Sequence, residues 1–183
     1  MRYVATLTLL AGCVILAGAT HAIAEESSSS RAQVVALDEC DPDTFNPVLG
    51  EGGTGFCHNV AGPFGATTLG QLIAKADAGT PDPGWDFEPD TLTIQRRTIL
   101  SVVNQGGEPH TFTEVEQFGG GFVEPLNHGE ATVPECTGGF ANLAVARTRI
   151  LQGNHLDISG LRKGKHLFEC CIHPWMRMEV DVK

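Results

Sequence analysis

From Trp85 to the C-terminus the chain keeps returning to one pattern, a short run rich in Val, Ile and Thr followed by a break of Gly, Pro, Asn or Asp. The runs are TLTIQ (91–95), TILSVVN (98–104), ANLAVART (141–148), NHLDISGL (154–161), KHLFEC (165–170) and MEVDV (178–182). β-Branched residues fit a pleated, half-buried surface, and short strands separated by turns must bury their apolar faces against a second sheet. The pattern predicts an all-β fold, a sandwich or barrel, that starts near residue 85. With 183 residues, 42% of them hydrophobic, the chain can bury one sizeable core but not two. A Gly-rich segment, residues 118–139, interrupts the strands and is long enough to be a functional or partner-facing insertion.

Upstream the composition changes. Residues 1–24 read as a secretory signal peptide: Arg2 supplies the positive start, Val4–Gly18 the apolar stretch and Ala22-Ile23-Ala24 the small-residue cleavage pattern. A competing reading takes LAGC (10–13) as a lipobox that anchors the chain through Cys13, although the apolar run continues past it through Val14, Ile15 and Leu16. Either route leads out of the cytoplasm, to the periplasm or the exterior. Loss of Arg2 takes the formal net charge from −10 to −11, which disfavours nucleic acid and anionic membrane surfaces as partners.

Residues 25–84 form an extension of linker, disulfide loop and short helix ahead of the β domain at 85–183. EESSSSRAQ (25–33) is polar and of low complexity, the composition of a flexible leader. The stretch from Cys40 to Cys57 is crowded with Gly, Pro, Asp and Asn and calls for a covalent clip, so a Cys40–Cys57 disulfide is expected; a second metal site with His58 is the alternative. TTLGQLIAKADAG (67–79) places Leu69, Leu72, Ile73 and Ala76 on one helical face, with Thr68 and Gln71 at capping-box spacing and Gly79 as a stop.

Without Cys13, five cysteines remain: Cys40, Cys57, Cys136, Cys170 and Cys171. In an oxidising compartment thiols pair, and an odd number leaves one for another task. Near the C-terminus Cys170, His173 and Met176 follow the pattern C-x-x-H-x-x-M, a concentration of soft sulfur and imidazole that suits a metal. His110 opens another alternating run and can join them if two neighbouring strands pair. Two imidazoles, one thiolate and one weak thioether make the trigonal site with a long axial ligand that binds blue copper.

The ordered set FEPDTLTIQ…TILSVVN, Asn104 six positions before His110, and GKHLFECCIHPWMR (164–177) resembles the cupredoxins, in particular the amicyanin and plastocyanin branch. The resemblance covers Trp85 to Lys183, without the segment at 118–139. It implies a Greek-key β-sandwich, preceded here by the short helical and loop extension, one copper held by His110, Cys170, His173 and Met176, and transfer of single electrons between redox proteins. His173 would then present its ring edge near the surface, with Pro174 and Trp175 completing an apolar patch for transient docking. Asn104 is expected to tie the His110 loop to the Cys170 loop, and Thr111 to hydrogen-bond near the thiolate.

Met176 stands at the amicyanin spacing from His173 and Met178 at the plastocyanin spacing. Met178 keeps the period of two set by Val180 and Val182, so it belongs to the core and Met176 is left for the metal. Since successive strand side chains face opposite ways, Cys171 should point away from a metal-facing Cys170 and pair with Cys136; a vicinal Cys170–Cys171 bond in a copper-free sandwich is the competing outcome. His58, His128, His155 and His166 lack a partner cysteine and read as surface histidines. A copper carrier or buffer would use the same ligands but calls for more exposed Met and His than a chain with three methionines offers. An enzyme would need H-x-H pairs or an open substrate position, and neither is in the sequence.

Overall fold

The computed structural model describes residues 30–49, 55–58 and 66–183. The expected signal peptide, and Cys13 with it, lies outside these residues. Among the described residues the strands in chain order are β1 (Arg31–Leu37), β2 (Asp86–Glu88), β3 (Thr91–Ile94), β4 (Ile99–Asn104), β5 (His110–Thr111), β6 (Thr113–Val115), β7 (Arg149–Ile150), β8 (His155–Ile158), β9 (Gly164–Glu169) and β10 (Arg177–Val182). They make two four-stranded sheets, β2-β1-β4-β8 and β3-β10-β9-β6, and a separate β5-β7 pair. Both larger sheets are mixed: β1 runs parallel to β4, with Arg31 opposite Ile99 and Ala36 opposite Asn104, and β3 runs parallel to β10.

One core joins the sheets. Val34, Ala36, Leu100 and Val102 come to it from the first, and Phe168, Met178, Val180 and Val182 from the second. The alternation read from MEVDV holds, since Met178, Val180 and Val182 are buried while their strand neighbours are half-buried. Phe112 leaves β5 into the same core, stacking on Phe168 with ring centroids 4.4 Å apart and meeting Phe87 edge-on at 5.0 Å. Such aromatic pairs are worth about 0.5–1.5 kcal/mol beyond the area they bury. They lock the strand that carries His110 onto the strand that leads to Cys170.

The upstream segment is more structured than its composition indicates. Of the expected leader, residues 25–29 lie outside the described residues, while Arg31, Ala32 and Gln33 open β1, which is set between β2 and β4, so the sheet draws on residues well before Trp85. Inside the Cys40–Cys57 disulfide, Pro42–Leu49 is a helix, α1, whose buried Phe45 stacks on Trp85 at 6.2 Å. The second helix, α2 (Leu69–Asp77), has the expected capping box at Thr68 and Gln71 and ends before Gly79, which takes φ 64°. Its buried face is narrower than expected, since Leu72 and Ala76 are covered but Ile73 is 36% exposed.

One expected strand is a helix. Within ANLAVART, Leu143–Ala146 forms α3, capped by the Asn142 side chain, which accepts from the Ala144 N–H at 3.0 Å. A run of Ala and Leu with Val145 as its one β-branched apolar residue favours helix once an N-cap is present. The Gly-rich segment is pinned by the Cys136–Cys171 disulfide and by the Phe122 N–H donating to the Cys171 carbonyl at 2.8 Å.

Candidate metal centre

The antiparallel pairing of β9 with β10, Arg177 opposite Glu169, leaves residues 170–176 as a tight connection. The Cys170 N–H donates to the Met176 carbonyl at 3.1 Å and the Met176 N–H to the His173 carbonyl at 3.0 Å, closing that loop on itself. The start of β5 meets it from the other side. Cys170 Sγ accepts the Thr111 N–H at 3.4 Å, and the Cys171 N–H donates to Thr111 Oγ1 at 2.7 Å. Thr111 therefore bonds near the thiolate as expected, through its backbone.

These contacts gather three donors. Cys170 Sγ lies 3.9 Å from Nδ1 of His110 and 3.9 Å from Nδ1 of His173, and one ligand atom from each residue falls within 4.8 Å of the others. His110 and Cys170 are fully buried and His173 is 2% exposed. Cys170 is the free cysteine among the described residues, while Cys171 faces a different cluster and is bonded to Cys136. Met176 is fully buried in the loop ahead of β10, whereas Met178 sits on that strand opposite Phe168, inside the core. No other cluster of three His, Cys, Asp or Glu donors with metal-binding spacing occurs among the described residues. His58, His128 and His155 are exposed and His166 is half-buried, and Cys40 is engaged in its disulfide.

The far edges of both imidazoles meet buried carboxylates. His110 Nε2 lies 2.8 Å from Asp38 Oδ2, and His173 Nε2 lies 3.1 Å from Glu108 Oε2. Trp85 Nε1 donates to the same Glu108 oxygen at 2.9 Å, and its ring is 6.0 Å from that of His173. Burial pushes the Cys170 thiol up, but hydrogen bonds and charge from His110 and His173 outweigh it and hold the thiol well below its usual range. Burial by itself would depress both histidines. The hydrogen bond to Asp38 and the neighbouring Cys170 raise His110 to about 10, and the charge of Glu108 with the Cys170 contact raises His173 to about 9. Desolvation opposes ionisation of Asp38 as well, yet its bond to His110 and the N–H groups of Glu108 and Cys40 bring it below the ordinary carboxylate range.

Two expectations change. His173 does not present its edge to solvent: Glu108, Trp85 and Trp175 surround it, Pro174 is buried, and Trp175, 5.6 Å from the His173 ring, is only partly exposed. Asn104 does not reach the Cys170 loop. Its Nδ2 donates to the Glu108 carbonyl at 2.7 Å and the Ile150 carbonyl at 3.0 Å, so it ties the His110 turn to β7. Asp38 and Glu108 escaped the sequence reading. The visible signals were Glu108 two positions before His110, and Asp38 at the end of the alternating run QVVAL (33–37).

No family profile matches the chain, and a search of curated proteins finds no match. Solved structures similar to it are cupredoxins. A purple cupredoxin from Nitrosopumilus maritimus is 13% identical, with 83% of this chain and 99% of that one covered and a TM-score of 0.43. A reduced tryptophan-to-tyrosine variant of amicyanin is 17% identical over 54% of this chain and 73% of that one, with a TM-score of 0.35. A methionine-to-alanine variant of amicyanin with Cu(I) is 16% identical over the same shares, also at 0.35.

Proposed function

We propose that the chain is an extracytoplasmic blue copper protein of cupredoxin type, with the Greek-key arrangement of that class, which shuttles single electrons between redox partners. The observation that carries this reading is the buried meeting of His110, Cys170 and His173, each with a ligand atom within 4.8 Å of the others. The donor set fits copper: two imidazole nitrogens and a thiolate suit both oxidation states, and Met176, buried in the same loop, would add a weak thioether ligand. Copper bound there supplies a one-electron couple. Nothing in these side chains then needs to rearrange, because Thr111, Asp38 and Glu108 already fix the sulfur and both rings, and a site that moves little has a small reorganisation barrier.

Two disulfides support an oxidising compartment. Among the described residues no helix is long and apolar enough to cross a membrane. Partners are proposed to dock transiently over His173, Pro174 and Trp175, with the partly exposed Trp175 ring as the member of that patch nearest solvent. Burial of every proposed ligand weighs against the runner-up, a carrier or buffer that hands copper on.

Copper loading followed by metal analysis and voltammetry tests the proposal. One copper per chain and a reversible one-electron wave, both absent in Cys170→Ala, are expected. Loss of the metal to a chelator during each reduction would shift the reading to the carrier.

A further inference from the structure

Asp38 lies sixty residues and more upstream of every proposed ligand, on the segment ahead of the β domain, yet its carboxylate is buried against one of them. Asp38 is 2% exposed and takes three N–H groups: Oδ2 meets His110 Nε2 at 2.8 Å and the Glu108 N–H at 2.9 Å, and Oδ1 accepts the Cys40 N–H at 3.2 Å. An ionised carboxylate, which only accepts, suits that set. Space is kept for it: a Cβ on Gly106 would come 2.0 Å from Oδ2, and one on Gly107 would come 2.6 Å from Cys40 Sγ and 3.2 Å from Oδ1. Strand β1 delivers the residue, since Ala36 pairs with Asn104 at the end of β4 and the Gln105 and Gly106 N–H groups both donate to the Ala36 carbonyl. On the other ring, Glu108 is 1% exposed and is held by Trp85.

Resting on the copper reading above, we infer that Asp38 and Glu108 are positioning residues that turn the Nδ1 atoms of His110 and His173 toward the metal and set its potential by placing anionic charge behind both rings. A ring whose Nε2 is bonded to a carboxylate cannot flip without losing that bond, so Nδ1 stays toward Cys170. Negative charge in a buried site favours the more highly charged Cu(II) over Cu(I), and a hydrogen-bonded carboxylate makes the imidazole a stronger donor; both effects lower the reduction potential. The upstream segment is thereby part of the redox site and not only its support.

Asp38→Asn and Glu108→Gln keep an acceptor at each ring and remove the charge. Each variant is expected to keep its thiolate-to-copper absorption and to raise the potential, by about 59 mV for every tenfold change in the Cu(II) to Cu(I) binding ratio. Potentials equal to or below the parent's in copper-loaded variants would overturn the inference and leave the copper reading standing. A parent protein without thiolate-to-copper absorption would remove both. Because Asp38→Asn can also weaken folding, the metal-free parent offers an independent readout by proton NMR. Slowly exchanging downfield ring N–H resonances from His110 and His173 are expected, and rapidly exchanging ones would show that the carboxylates do not hold the rings.

Discussion

Cys170 and Cys171 are adjacent in the chain and serve two different clusters: the first lies 3.9 Å from two histidine nitrogens, the second is bonded to Cys136. Just past the end of β9 the backbone turns one sulfur toward His110 and the other toward the Gly-rich segment. A side chain's direction thus decides which of two neighbouring thiols stays available as a ligand.

That disulfide closes a sequence separation of 35 residues and anchors the segment that flanks the site. In the chain-entropy model, closure of such a loop stabilises by about 3–4 kcal/mol. The double variant Cys136→Ala/Cys171→Ala should unfold at correspondingly lower urea, with Cys170 the one reactive thiol among the described residues after unfolding. Unchanged urea midpoints would show that the packing around Val115, Val133 and Val145 holds the segment without the bond.

The two methionines should behave differently. Met178→Leu is a volume-conserving change at a buried position opposite Phe168, expected to cost less than about 1.5 kcal/mol and to leave the visible spectrum alone. Met176→Leu should shift the potential and the band shape while copper stays bound. The reverse outcome, spectral change only in the Met178 variant, would move the axial ligand to the strand.

Copper uptake should depend on pH in a defined sense. In the metal-free protein the buried carboxylates and Cys170 raise His110 to about 10 and His173 to about 9, while the two histidines hold the Cys170 thiol well below its usual range. A metal must displace the protons on the two rings, so apparent affinity rises with pH below about 9, about tenfold per pH unit for each proton released. Competition with a chelator from pH 6 to 9 measures the slope. A flat profile would mean that the rings are neutral before the metal arrives.

His166 gives a second pH signature, away from the site. Burial lowers its pKa, but Glu114 Oε1 at 2.6 Å from Nδ1 and the Arg162 carbonyl at 2.8 Å from Nε2 win, and the net shift is upward. Two acceptors on one ring require both nitrogens protonated. A pKa raised on folding contributes stability that is complete below the unfolded value, about 6.5, and fades as pH rises through the folded value. The stability difference between the parent and His166→Gln should therefore be larger at pH 5 than at pH 9. An equal difference at both would assign the residue a packing role only.

How much of this was legible depended on what each signal encodes. Met178, Val180 and Val182 announce their strand through a period of two, and Cys170 and His173 announce through their spacing two of the three side chains that meet at His110, so β10 and that pair were readable. The helix in ANLAVART was misread because short apolar runs carry little periodicity and the Asn142 cap was overlooked. Strand β1 was hidden by the serines before it. Its place between β2 and β4 is a non-local pairing that no local pattern records, and Asp38 went unseen with it. The exposure expected of His173 failed for a related reason: burial there is created by Trp85 and Glu108, which approach from elsewhere in the chain.

The visible absorption spectrum of the Cu(II)-loaded protein tests the central claim most directly, because thiolate coordination in a constrained site produces an intense band that carboxylate or imidazole ligation does not. The parent protein should show that band and Cys170→Ala should lack it. A copper-loaded parent with only weak absorption, unchanged in Cys170→Ala, would contradict the assignment of His110, Cys170 and His173 as a blue copper site.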